Sequence, residues 1–141
     1  MKLFFLCFIL TFSNAHITAQ DRWTITNRKK EVFAATIEDT TANRVTLTPE
    51  DLKNCGVLKI QYTEMPERAG WQRSLLLYDS NGNERKKITA TRLKLRHRTL
   101  RQLGKNTRQL FLYTTSLPAD PAVAATVRVR RVHLCTLILP H

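Results

Sequence analysis

The run Val57-Leu-Lys-Ile-Gln-Tyr-Thr63 alternates apolar and polar residues without a break. Leu58, Ile60 and Tyr62 fall on one side and Lys59, Gln61 and Thr63 on the other, the period-two pattern of a half-buried strand. Shorter runs of the same kind recur along the chain: Arg22-Trp-Thr-Ile-Thr-Asn27, Val32-Phe-Ala-Ala-Thr-Ile37, Arg44-Val-Thr-Leu-Thr48, Trp71 to Tyr78, Glu84 to Ala90, Arg92 to Arg96, Leu110 to Thr114 and Thr126 to Leu139. Asn81-Gly82 between two of them is a strong hairpin signal. Three places favour a single helical turn. Thr48-Pro-Glu-Asp-Leu carries an N-cap residue, a first-position proline and early acids ahead of Gly56; Asp120-Pro121 precedes Ala122 to Ala125; and His97 to Leu103 is closed by Gly104. These signals predict an all-β fold: an antiparallel β-sandwich (Ig-like/Greek-key type) of about 8 short strands with two or three single helical turns.

An internal echo refines that picture. Val45 to Asn54 aligns without gaps on Leu93 to Gln102, Gly56 on Gly104, Leu58-Lys-Ile on Leu110-Phe-Leu, and Tyr62-Thr on Tyr113-Thr. Each copy reads as a strand entering a helical turn with one Leu, meeting Gly, and leaving as an aromatic-ended strand. Two such halves fit a sandwich rather than a solenoid, which needs more copies. In the final run, Arg131 interrupts the row Val127, Val129, His133, Cys135, Leu137, Leu139, which predicts either a bulge at Arg130-Arg131 or a strand that leaves the sheet's cover midway.

Residues 1–19 read as an export signal: Lys2, an apolar stretch too short to span a bilayer, then small and polar residues. Two cuts fit, after Ala15 or after Ala19, with Ala19 preferred. That leaves residues 20–141 as one domain, enough for a single core, placed in the periplasm or outside the cell, with no transmembrane segment after cleavage. In an oxidising compartment Cys55 and Cys135 form an expected disulfide, whose loop of about 80 residues would stabilise the fold by roughly 4 kcal/mol; two buried reduced thiols are the alternative.

Lys and Arg number 23 against 11 Asp and Glu, a net charge of +12. The excess is lopsided. From Arg85 onward thirteen basic residues face only Asp120. Arg85, Lys86 and Lys87 leave the hairpin, Arg92, Lys94 and Arg96 line one side of a strand, and Arg128 and Arg130 share a face of the last strand. If these strands are neighbours, the eight side chains form one anion-binding surface, suited to planar carboxylate, sulfate or phosphate groups. A merely solvated cationic surface is the other reading.

Signals for chemistry are sparse. Ser74 and Ser80 lack a nucleophile-elbow setting, and a disulfide would remove the thiolate that His97 or His133 might activate. His133 and Cys135 supply at most half a metal site. Asp79-Ser-Asn-Gly-Asn83 matches the first half of a calcium loop, but Glu84 stands where that loop needs Gly, so a hairpin turn is expected. Trp23, Tyr62, Trp71, Tyr78 and Tyr113 are expected in core packing rather than on an aromatic platform. No nucleic-acid motif is present. No catalytic residue, metal or cofactor is expected.

The segments Trp71-Gln-Arg, Tyr78-Asp and Leu117-Pro-Ala-Asp-Pro through Val127-Arg-Val-Arg-Arg-Val-His-Leu-Cys135 resemble small exported proteins of the Bacteroidota kind. The resemblance implies a location and no mechanism. The expectation is an exported, non-catalytic cell-envelope protein with a binding or structural accessory role. Its alternative is a polyanion-binding module for anionic polysaccharide, lipopolysaccharide or another anionic envelope surface. An enzyme with a cryptic site is the third reading.

Overall fold

The computed structural model describes residues 20–66 and 70–141; the predicted export signal lies outside them. The elements, in order, are β1 (Arg22–Asn27), β2 (Lys30–Ala35), β3 (Arg44–Thr46), β4 (Val57–Thr63), β5 (Trp71–Asp79), β6 (Glu84–Ile88), β7 (Arg92–Arg96), α1 (His97–Gly104), β8 (Gln109–Pro118), α2 (Pro121–Ala124) and β9 (Val132–Ile138). They build a β-sandwich of two sheets, ordered β2-β1-β4-β7 and β3-β9-β8-β5-β6. The alternating residues do what their period requires. Leu58, Ile60, Leu93, Leu95, Leu75, Leu77, Leu110, Leu112 and Leu137 are fully buried between the sheets, where each apolar side chain contributes about 1.5–3 kcal/mol.

The pairing is antiparallel throughout except for β3, whose three residues run parallel to β9. The expected antiparallel β-sandwich has this one parallel pairing: β3 follows β2 of the first sheet but joins the second, against the last strand. The β5–β6 hairpin closes at Gly82, whose φ of 80° suits a residue without Cβ. Asp79 organises this turn. Its carboxylate accepts from the backbone N–H groups of Asn81 and Asn83, each at 2.9 Å, and from Arg85, and the bonds from Asn83 foremost hold its pKa down at about 2. Those oxygens serve the turn, as expected of a hairpin rather than a calcium loop.

The last run shortens. β9 begins only at Val132; residues 121–124 form α2 under the Asp120 cap, whose carboxylate accepts from Ala122 N at 2.9 Å. Arg128 and Arg130 therefore lie on irregular chain rather than sharing a strand face. Arg131 leaves the row and lies over Tyr113, 4.3 Å from the ring centroid, in a cation–π contact. The bulge falls later than expected. Leu112 pairs with Cys135 and Tyr113 with His133, so Leu134 is the extra residue. Its carbonyl accepts the Trp23 indole N–H at 2.9 Å, linking the sheets across the core.

The echo is visible in burial: Val45, Leu47 and Leu52 match Leu93, Leu95 and Leu100, and all six are buried. Only the second copy forms a helix, α1. In the first, Thr48 and Asp51 cap one another, Asp51 Oδ2 accepting from Thr48 N at 2.7 Å and Thr48 Oγ1 from Asp51 N at 3.2 Å, but Asn54 at φ 64° turns the chain away after one turn. The two turns meet at one end of the sandwich. There Leu52 and Leu100 line the same small depression, and Arg101 donates to the carbonyls of Leu52 and Asn54.

Cys55 and Cys135 are both free thiols. The expected disulfide is corrected: Cys135 is fully buried in the second sheet, whereas Cys55 is exposed on the loop ahead of β4.

Candidate functional site

β4 and β7 are neighbours, and their register decides where the basic side chains go. Lys59 stands directly opposite Lys94, Gln61 opposite Arg92 and Val57 opposite Arg96. Because Leu58, Ile60, Leu93 and Leu95 face the core, these partners all project from the outer face of the first sheet. Like charges paired directly across strands repel, and Lys59 opposite Lys94 is such a pair. β1 extends the row with Thr26 opposite Lys59. The β1–β2 turn adds Arg28 and Lys29, both held at positive φ (49° and 69°).

Two depressions share Lys94 and Val57. One, about 310 Å³, is lined by Thr26, Arg28, Lys29, Gly56, Val57, Lys59 and Lys94. The other, about 520 Å³, is lined by Val57, Lys86, Lys94, Leu95, Arg96 and Thr99. Lys86 reaches the second because it stands opposite Leu77 on the edge strand β6 and so points to the inner side, toward β7. The α1 helix starts at this same place, with no side-chain cap and no acid in its first turn, so its positive end adds to the field. Six cations and no carboxylate line the two depressions. Among the described residues none of Lys86, Lys87, Lys59, Lys94 and Arg96 has an ion-pair partner.

Of the eight basic residues singled out from sequence, Lys86, Lys94 and Arg96 thus come together, with Arg92 on the same strand as the last two; Lys87, opposite Leu76, points away from Lys86. Arg92 donates to Gln61 Oε1 at 2.7 Å. Arg85 is committed elsewhere, bound to buried Asp79 at 2.6 Å. Arg128 and Arg130 lie at the far end of the sandwich, where Arg130 pairs with Glu38. They are not part of this face, because the chain carrying them is not in the sheet. Lys59, Arg28 and Lys29 were missed. Lys59 was legible as an outward residue of the clearest strand; what hid it was strand order.

Of the remaining residues with chemical potential, His97 and His133 each have one ring nitrogen hydrogen-bonded and a buried Nδ1 without a partner. His97 is fully buried, its Nε2 2.6 Å from Asn27 Oδ1; the amide oxygen can only accept, so Nε2 carries the proton. His133 is buried with Nε2 2.9 Å from Thr136 Oγ1. Burial is the main cause lowering both imidazole pKa values below 6.5. Burial also pushes the Cys135 thiol up to about 12, leaving it a weak nucleophile. Ser74 and Ser80 hydrogen-bond to Thr89 and Thr107. Among the described residues no group of three or more His, Cys, Asp or Glu is placed to hold a metal, and no helix is long and apolar enough to cross a membrane.

The aromatic residues divide. Trp23 and Tyr62 are buried and stacked with centroids 5.9 Å apart, while Tyr78 and Tyr113 are half-buried and meet edge to face. Trp71 departs from its expected core position, 41% exposed at the start of β5. No protein-family model, curated protein or solved structure matches the chain.

Proposed function

We propose that this is an exported, non-catalytic protein of the cell envelope that binds polyanions, such as acidic or sulfated polysaccharide or lipopolysaccharide, on the outer face of its first sheet. The observation that carries this reading is the β4–β7 register. It sets Lys59 against Lys94 between Arg28, Lys29, Lys86 and Arg96 with no carboxylate among the lining residues. Such a row repels itself until an anion neutralises it, so an extended anionic chain gains more here than from scattered surface charge. The absence of aromatic interleaving from the lining favours phosphate or sulfate groups over stacked bases. A binding role is also supported by the burial of His97 and His133 and by the raised pKa of Cys135, which makes that thiol a weak nucleophile.

Heparin affinity with a salt titration tests the reading. Lys59→Glu with Lys94→Glu is expected to weaken binding by at least about tenfold and to flatten its salt dependence. Arg44→Glu with Lys105→Glu changes net charge equally but lies off this face, and should alter affinity by less than roughly twofold. Equal losses in both double variants would reduce the interaction to net charge alone and remove the face as a site.

A further inference from the structure

At the end of the sandwich away from α1, the starts of β1, β5 and β9 and the ends of β4 and β8 surround a cavity of about 380 Å³. That lies within the range of small-molecule sites. Its wall includes Arg73, a charged residue only 5% exposed. The guanidinium is held on three sides. Nε donates to Glu64, Nη1 donates to Thr114 Oγ1 at 3.0 Å, and its flat face lies 3.9 Å from the Tyr62 ring centroid. Its Nη2 is buried without an acceptor, and the Oγ of Ser116, another lining residue, is buried without any partner. Folded proteins rarely leave such groups unmet, and two together beside one cavity mark the place where an oxygen-bearing molecule fits.

Charge narrows the class. Arg73 is neutralised by Glu64 and Arg130 by Glu38, and Asp21 accepts from Tyr62 Oη at 2.8 Å. Of the cations lining the cavity only Arg128 has no carboxylate partner among the described residues, and the Asp21 carboxylate shares the wall, so the cavity takes at most one negative charge, placed beside Arg128, and disfavours several. Shape narrows it further: Trp71 presents its indole at the mouth, and Val127 and Val132 supply apolar wall. An exposed aromatic beside unsatisfied polar groups suits a ring with an apolar face and oxygen-rich edges.

We propose that this cavity binds a sugar acid, with the ring against Trp71, the carboxylate toward Arg128, and hydroxyls toward Arg73 and Ser116. The site is separate from the basic face and does not depend on it.

Titration of the ¹⁵N-labelled protein with glucuronate, with glucose and with acetate tests the proposal. Glucuronate should shift the Trp71 indole and the amides of Thr114, Ser116 and Val132 saturably, with a Kd on the order of 1 mM, and about tenfold more tightly than glucose. Arg128→Ala, at an exposed position, should remove that tenfold preference. Trp71→Ala, also exposed, should weaken both sugars. Lys59→Glu with Lys94→Glu should leave glucuronate binding unchanged, so failure of the polyanion reading does not carry this one down. Absence of saturable shifts with either sugar, equal shifts with acetate, or an undiminished preference in Arg128→Ala would each overturn it.

Discussion

At one end of the sandwich Leu52 and Leu100 meet where the two turns come together; at the other, Arg73 stands beside a cavity of about 380 Å³. Both ends receive the same strands. The difference lies in what connects them. The connections at the α1 end carry the internal echo, each bringing one Leu onto the core and ending near a Gly, so that end closes on itself. The other end is crossed by the arginine-rich chain before β9, which sets Arg128 and Arg130 beside Val127 on the cavity wall. A polar end of this kind keeps its buried charge by hydrogen bonds rather than by packing.

Truncation should separate the ends most sharply. Leu100→Ala removes a fully buried side chain from the closed end and is expected to cost about 3–4 kcal/mol, read as a lower midpoint in urea unfolding. Trp71→Ala at the open end should stay within about 0.5 kcal/mol. Equal losses would mean that the open end is packed after all. Gly56 offers a second strike at the closed end. A Cβ there would lie 2.3 Å from His97 Cε1, so Gly56→Ala should cost about 2–3 kcal/mol, and pairing it with His97→Ala should recover part of that loss.

The closed end was readable in advance because its signals are local. The echo of Val45 to Asn54 in Leu93 to Gln102 located both turns, and Gly104 closes α1 where the pattern placed it. One copy fell short because Asn54 adopts positive φ and breaks the turn. The open end was hidden because its parts come from five separated strands: alternation puts Arg73 on the inward face of Leu75 and Leu77, but its partners on β4 and β8 appear only once strand order is known. Strand order also decided the basic face. Arg92, Lys94 and Arg96 were legible from alternation, but their true neighbour is Lys59 on β4 rather than Arg128 and Arg130, which the register could reveal and composition could not. The Cys55–Cys135 pairing failed for a similar reason: one cysteine lies in the core and the other on an exposed loop.

Acid should find the closed end before it disturbs the carboxylates of the turns. His97 has its folded-state pKa lowered, first by burial and then by Arg28 and Arg101. A histidine with a lowered folded value leaves the unfolded chain binding more protons, so stability is full above the ordinary value near 6.5 and falls as pH drops from there toward the folded value. His133 acts in the same direction. Unfolding midpoints measured between about pH 7.5 and pH 5 should therefore decline, and His97→Gln, which keeps a donor for Asn27, should flatten the decline by removing one of its two sources. An unchanged slope would place the acid sensitivity elsewhere.

The smallest effect carries the sharpest contrast. Asn27 and Ser116 are polar residues of the two ends, yet their bonding differs. Asn27 donates to the Asp51 carbonyl at 3.1 Å and accepts from His97, so Asn27→Ala strands a buried imidazole N–H and should cost about 1–3 kcal/mol. Ser116 Oγ has no partner to lose. Ser116→Ala should be neutral or slightly stabilising in the free protein, within about 0.5 kcal/mol, because an unsatisfied hydroxyl is itself a cost. Its loss should appear only with a sugar acid present: thermal midpoints with and without glucuronate should differ in the parent protein and converge in Ser116→Ala. A variant that loses stability without ligand would show that the hydroxyl serves the fold, and the open end would then be a polar counterpart of the closed one rather than a binding site.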